Sequence, residues 1–198
     1  MKPEIEVKFL AVDHDDMRKK LQKLGAKCTA PMRLMKRVIL DFPDRRLQKG
    51  EHNSFVRVRD EGDKITLTFK QFKSRTVDGA YETETIVKSF DDTVNIFTSI
   101  GLEVVSFQES KRETWAYGDY EIVLDEWPWL EPYIEIEGES EDGLRSIAVE
   151  LGLHWVDAVF GGVMRAYRVQ YPNTEPHEAI GNMAEVRFGA PPPDFLRS

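Results

Sequence analysis

The chain has 198 residues, 41% of them hydrophobic and 31% charged, with a formal net charge of −8 and a pI near 5.1. That length holds one large domain or two small ones, and the acidic balance excludes general binding to a nucleic-acid duplex, which needs a basic footprint. No apolar run approaches the ~20 residues that cross a bilayer, and Met1-Lys2-Pro3-Glu4 lacks the apolar stretch of a signal peptide. No membrane partner and a cytoplasmic location are therefore expected. The single Cys28 rules out an intramolecular disulfide framework and any multi-cysteine zinc site, and is expected to be a small packing residue.

In chain order, residues 4–9 (Glu-Ile-Glu-Val-Lys-Phe) alternate strictly and predict a strand. Residues 13–24 predict an amphipathic helix with Met17, Leu21 and Leu24 on one stripe and Gly25 as its stop. A less regular strand covers residues 37–42. Strict alternation returns in residues 55–59, 65–70 and 81–86, with Asp60-Glu61-Gly62-Asp63 as a hairpin turn between the first two. A second helix opens at Asp91-Asp92, carries Val94, Phe97 and Ile100, and stops at Gly101. Three more strands follow at 111–115, 120–125 and 133–137, with Tyr117-Gly118-Asp119 as a turn. A third helix runs from Ser140 through Leu144, Ile147 and Leu151 to Gly152. Residues 155–171 predict a short helix and an extension. The chain from Pro172 on, with Pro191-Pro192-Pro193, predicts a mobile tail, leaving one domain over 1–171.

Residues two apart in a strand share a face. Glu4, Glu6 and Lys8 therefore line up, as do Arg57 with Arg59, Glu82 with Glu84, and Glu135 with Glu137, while Lys70 falls in step with Thr66 and Thr68. For any one strand, a solvated charged face is the simpler account. Taken together, acidic and basic strands are segregated, although like charges stacked on one strand repel. Such a pattern suits counter-charges: cations for the acidic rows and phosphates for the basic ones. Three amphipathic helices are available to cover the apolar faces from outside, which turns the polar faces inward. The expected fold is α+β, an eight-stranded antiparallel β-barrel with helices packed outside and a charged lumen.

The ordered set Glu4-x-Glu6-x-Lys8, Arg57-x-Arg59, Thr68-x-Lys70, Glu82-x-Glu84, Lys111-Arg112, Leu124-Asp125 and Glu135-x-Glu137 resembles the CYTH family, or triphosphate tunnel metalloenzymes, over about residues 4–170. The resemblance implies Mg²⁺ or Mn²⁺ held by Glu4, Glu6, Glu82, Asp125, Glu135 and Glu137. It implies a triphosphate (inorganic, nucleoside or thiamine triphosphate) gripped by Lys8, Arg57, Arg59, Lys70, Arg112 and Arg165, with Lys8 and Glu84 taking part in the chemistry. Carboxylates suit a hard cation, and arginine forks suit phosphate oxygens. The activity so implied is metal-dependent triphosphate hydrolysis. The alternatives are class IV cyclisation of ATP to cyclic AMP and pyrophosphate, and a non-catalytic polyphosphate- or nucleotide-binding module. Two departures weigh against cyclisation: no His-Phe pair precedes the first strand, and Ile39 stands where relatives commonly carry tyrosine. His14, His52, His154 and His177 form no metal-ligand spacing, and Trp127-Pro128-Trp129 is expected to be a packed turn. A homodimer is compatible with the sequence.

Overall fold

A computed structural model describes residues 2–74, 76–175 and 178–196. The expected order of strand, helix, four strands, helix, three strands and helix is what the chain forms: β1 (Lys2–Leu10), α1 (His14–Leu24), β2 (Lys27–Asp41), β3 (Asn53–Asp60), β4 (Ile65–Phe72), β5 (Ala80–Val87), α2 (Phe90–Ser99), β6 (Glu103–Tyr117), β7 (Tyr120–Trp127), β8 (Leu130–Gly138) and α3 (Glu141–Glu150). Beyond them lie α4 (Val163–Gln170) and a two-residue strand, β9 (Glu185–Val186).

The helix ends follow from their caps. Asp13 accepts from the Asp16 amide, Ser89 from Asp92 and Ser140 from Gly143, each satisfying a first-turn donor that the helix itself leaves open. Gly25 ends α1 at φ 82°, a left-handed conformation that costs glycine nothing.

Strands β2-β3-β4-β5-β1-β8-β7-β6 pair antiparallel in that order, and β2 pairs with β6 to close an eight-stranded barrel. The closing strands are 15 residues each, much longer than the 37–42 and 111–115 expected. Register shifts between Cys28 and Ala30, Ala30 and Arg33, and Ile39 and Leu40 interrupt the alternation of β2. One seam is short, because β1 and β5 pair only from Lys2↔Glu82 to Glu4↔Ala80. Further along β1 the Glu6 amide donates to Val77 O, and Lys8 exchanges both backbone hydrogen bonds with Val159, so residues 76–79 and the 158–162 segment complete the wall.

The apolar sides of the strands face out, under the helices. Helices α1 and α3 bury Met17, Leu21, Leu144, Ile147 and Leu151 against Val7, Phe9, Ile122, Leu124, Ile134 and Ile136. On the opposite wall, Val94 and Phe97 of α2 cover Val38, Leu40, Val56 and Val58. Two expectations are corrected here: Ile100 is 66% exposed beyond the end of α2, and Cys28 is exposed rather than packed. The described part of the expected tail also departs from its reading. Residues 178–196 pack back onto the barrel, burying Ile180, Val186 and Leu196 with Trp127, Leu130 and Tyr133, while β9 pairs parallel with β6. His177 lies outside the described residues.

Candidate tunnel site

Because the apolar faces are spent on the helices, the alternate side chains turn into the barrel and border a cavity of about 1200 Å³. Glu4, Glu6, Lys8, Arg57, Arg59, Lys70, Glu82, Glu84, Arg112, Glu135, Glu137 and Arg165 all reach it. Strand register brings acids together on one side: Glu6 stands opposite Glu137, Glu137 opposite Glu121, and Lys8 opposite Glu135. Burial, and then Glu4, Glu135, Glu6 and Glu121, push the Glu137 carboxyl up to about 8. Burial likewise raises Glu4, only partly opposed by Lys70.

Two lysines sit among these acids. Lys8 Nζ is 2.9 Å from Glu6 and 2.8 Å from Glu135. Burial alone would lower Lys8, but Glu135 and Glu6 hold it above its ordinary value. Lys70 pairs with Glu4 and lies 3.6 Å from Glu82 and 4.0 Å from Glu6. Burial would raise Glu135, yet Lys8 and Arg112 bring it down to about 2. Among the described residues no three acidic, histidine or cysteine side chains form a ready metal cage. The donor set nevertheless fits a divalent cation, since it is all carboxylate and, once Glu137 gives up the proton that burial and its acidic neighbours make it keep, holds a surplus of negative charge.

The opposite side is basic. Arg57 donates to Thr68 Oγ1 (3.0 Å) and Glu84 (3.3 Å), and Thr68 also donates to Glu84 at 2.7 Å. Glu84 therefore stands at the rim as a partner of Arg57 and Thr68. Arg59 is held by Glu61 at 2.6 Å, and burial together with Arg57 and Arg112 lowers it to about 10. Arg112 forms a two-pronged pair with Asp125 at 2.7 and 2.6 Å. Asp125, expected as a metal ligand, is almost fully buried in that pair and does not border the cavity. Arg165 is exposed at the rim of α4, where it borders both the cavity and an outer groove.

Several residues went unread in the sequence. Glu61, assigned only to a turn, folds back to meet Arg59 and Arg33. Tyr133 lines the cavity in phase with Glu135 and Glu137, a signal the alternation carried. Arg37 is buried with its guanidinium 4.0 Å over the Trp127 ring and Nη2 3.3 Å from Ser110 Oγ. Burial, then Arg57, Arg59 and Arg112, hold it well below the ordinary arginine value. The Trp127-Pro128-Trp129 turn is packed as expected, fixed by Tyr167 Oη donating to Pro128 O and Tyr171 Oη to Trp129 O. His14 is buried, its Nε2 3.1 Å from Tyr133 O, in a structural role.

The CYTH domain family profile matches residues 2–155. Proteins of that family are generally triphosphatases or adenylyl cyclases, bind triphosphate substrates and depend on divalent metal. A search of curated proteins finds no match to the sequence. Among solved structures, the chain is similar to the PH1012 protein of Pyrococcus horikoshii (23% identity, TM-score 0.64, covering 78% of this chain and 93% of that one). It is also similar to a candidate adenylate cyclase of Vibrio parahaemolyticus (16%, TM-score 0.69, 81% and 95%). A third, HpAC1 from Hippeastrum, a candidate adenylyl cyclase described as having a dominant triphosphatase activity, matches at 14% identity, TM-score 0.54, over 82% and 91%. These structural likenesses establish the same barrel. With its profile match spanning the barrel and the charged rows in matching order, the chain belongs to the CYTH domain family.

Proposed function

We propose that this protein hydrolyses a triphosphate, inorganic or organic, with a divalent cation in the tunnel. The observation that carries the reading is the charged lumen: Glu4, Glu6, Glu135 and Glu137 gather in one cavity with Arg57 and Arg59, and Arg112, 3.6 Å from Glu135, joins the two groups. A triphosphate would relieve the repulsion among the arginines, and a cation between it and the carboxylates would relieve the repulsion among the acids. Glu4, Glu6, Glu135 and Glu137 would hold the cation, which supplies Lewis acidity toward phosphate oxygens.

The chain's own residues do the rest. Arg57 and Arg59 present forked donors to successive phosphates, and the Asp125 pair fixes the angle of Arg112. Lys8, kept charged between Glu6 and Glu135, offers a positive point to charge developing on the transferred phosphoryl group. Water then attacks the terminal phosphorus in line and gives up a proton to solvent as the bridging P–O bond breaks, and the leaving diphosphate is held by the arginines. Glu84, drawn toward Arg57 and Thr68, orients the substrate side rather than the cation side.

Cyclisation of ATP would use the same grips but needs the ribose hydroxyl aimed at the α-phosphorus and water kept away. Ile39, which faces the cavity, offers no hydrogen bond for that alignment. The test is phosphate release from inorganic triphosphate with Mg²⁺, with Mn²⁺ and with chelator. Release that requires metal and disappears in Glu6→Gln supports the reading; equal release in chelator overturns it.

A further inference from the structure

Most cations in the tunnel have an acid beside them. Lys8, Lys70, Arg57, Arg59, Arg112 and Arg33 each lie within 4.0 Å of a carboxylate. Among the described residues Arg37 has none. Its guanidinium donates to a neutral hydroxyl, Ser110 Oγ, and its Nε is buried without an acceptor among the described residues. The indole Nε1 of Trp127, on which it stacks, is likewise buried without an acceptor. Gln108, opposite Arg37 in the β2–β6 ladder, turns its amide to Ser106. This corner of the lumen therefore sets two buried donors without acceptors, Arg37 Nε and Trp127 Nε1, beside one buried positive charge.

Filling space does not require such an arrangement. A leucine or methionine at position 37 would pack on Trp127 without the cost of a buried guanidinium, and burying an arginine without an acid is strongly unfavourable. Water can satisfy an indole N–H, but it leaves the charge uncompensated. A tetrahedral oxyanion supplies both acceptors and charge. The wall here is also distinctive. Ala179, Ile180, Gly181 and Asn182 border the cavity, Val186 pairs with Gln108, and Ile180 packs with Trp127 and Tyr133. All of these C-terminal residues lie beyond residue 155, where the family match ends.

We propose that Arg37 and Trp127, with Ser110 and Gln108, form an additional oxyanion subsite in the tunnel, walled by the C-terminal segment, which takes one phosphoryl group by its oxygens. The assignment deepens the triphosphate reading and rests on it. The phosphoryl group is either an end of the bound triphosphate or a separate inorganic phosphate.

The test is calorimetric titration of the full chain with inorganic triphosphate, pyrophosphate and orthophosphate, in wild type, Arg37→Met and Arg37→Lys, with melting temperatures of each unliganded protein. Losing one charge-assisted contact weakens binding by about 10- to 100-fold. Arg37→Met is expected to show that loss, Arg37→Lys a smaller one, and the unliganded Met variant to melt no lower than wild type. An effect confined to the longer ligands identifies the end of the substrate as the source. An effect on orthophosphate as well identifies a separate phosphate site. Triphosphate binding that is equal in wild type and Arg37→Met overturns the subsite and leaves the hydrolase reading standing. If wild type does not bind triphosphate, the hydrolase reading fails; an Arg37-dependent orthophosphate or pyrophosphate signal then keeps the subsite, and its absence removes both. A lower melting temperature of the unliganded Met variant marks Arg37 as a packing residue and overturns the proposal.

Discussion

Glu137→Gln should stabilise the protein, and only at high pH. In the folded chain the Glu137 carboxyl is pushed up from 4.5 to about 8, first by burial and then by Glu4, Glu135, Glu6 and Glu121. The folded state thus binds this proton more tightly than the unfolded one, so stability is greatest below about 4.5 and is lost as pH rises toward 8. At 1.36 kcal/mol per pH unit the interval between 4.5 and 8 is worth at most about 5 kcal/mol. Water reaching the half-buried side chain reduces this to about 2–3 kcal/mol. Glutamine mimics the protonated acid, so the variant should match wild type near pH 5 and melt about 5–10 °C higher near pH 9. Mg²⁺ added at pH 8 should raise the melting temperature of wild type more than that of the variant, because it relieves the same repulsion. Calorimetric melts across pH 5–9 decide it. A difference between the proteins that does not change with pH would refute the charge-surplus account.

Glu6→Gln should reduce metal-dependent phosphate release to background with the circular dichroism spectrum unchanged, since it removes one charge from a crowded acidic group. Arg59→Ala should weaken triphosphate binding about 10- to 100-fold in titration, and orthophosphate binding much less, because the longer anion engages more of the basic row. Glu113→Ala should lower stability by about 1–3 kcal/mol in urea melts and leave turnover intact. Its carboxylate accepts from Arg18 at 3.1 and 3.2 Å and from the Trp115 indole at 2.7 Å, outside the barrel. Loss of activity beyond the loss of folded protein would contradict that placement.

The barrel was legible because β1, β3, β4, β5 and, up to Asp125, the β7–β8 pair keep a period of two, so the same alternation that buries Val7 or Val58 turns Glu6 or Arg57 inward. In β2 the register is continuous from Arg33 to Ile39, which puts Arg33 and Arg37 on the lumen face, but Met35 and Ile39 share that phase, so the letters show no charged row. Glu61 was hidden for a different reason: it lies in a hairpin turn, where local letters report turn chemistry and not the side chain's return to Arg59. Asp125 and Arg112 look alike whether each serves a ligand or the other; their mutual pair is set by the β6–β7 register. The C-terminal residues have no period at all. Ile180, Val186 and Leu196 are isolated apolar side chains that find their places only once the Trp127–Leu130 turn and α4 are built.

The most direct measurement is chromatographic product analysis with inorganic triphosphate, ATP and thiamine triphosphate, each with Mg²⁺ and with Mn²⁺. Hydrolysis at the terminal phosphorus predicts orthophosphate together with the diphosphate product from at least one of them, with cyclic AMP a minor product or none. Cyclic AMP and pyrophosphate as the dominant products from ATP would contradict the account.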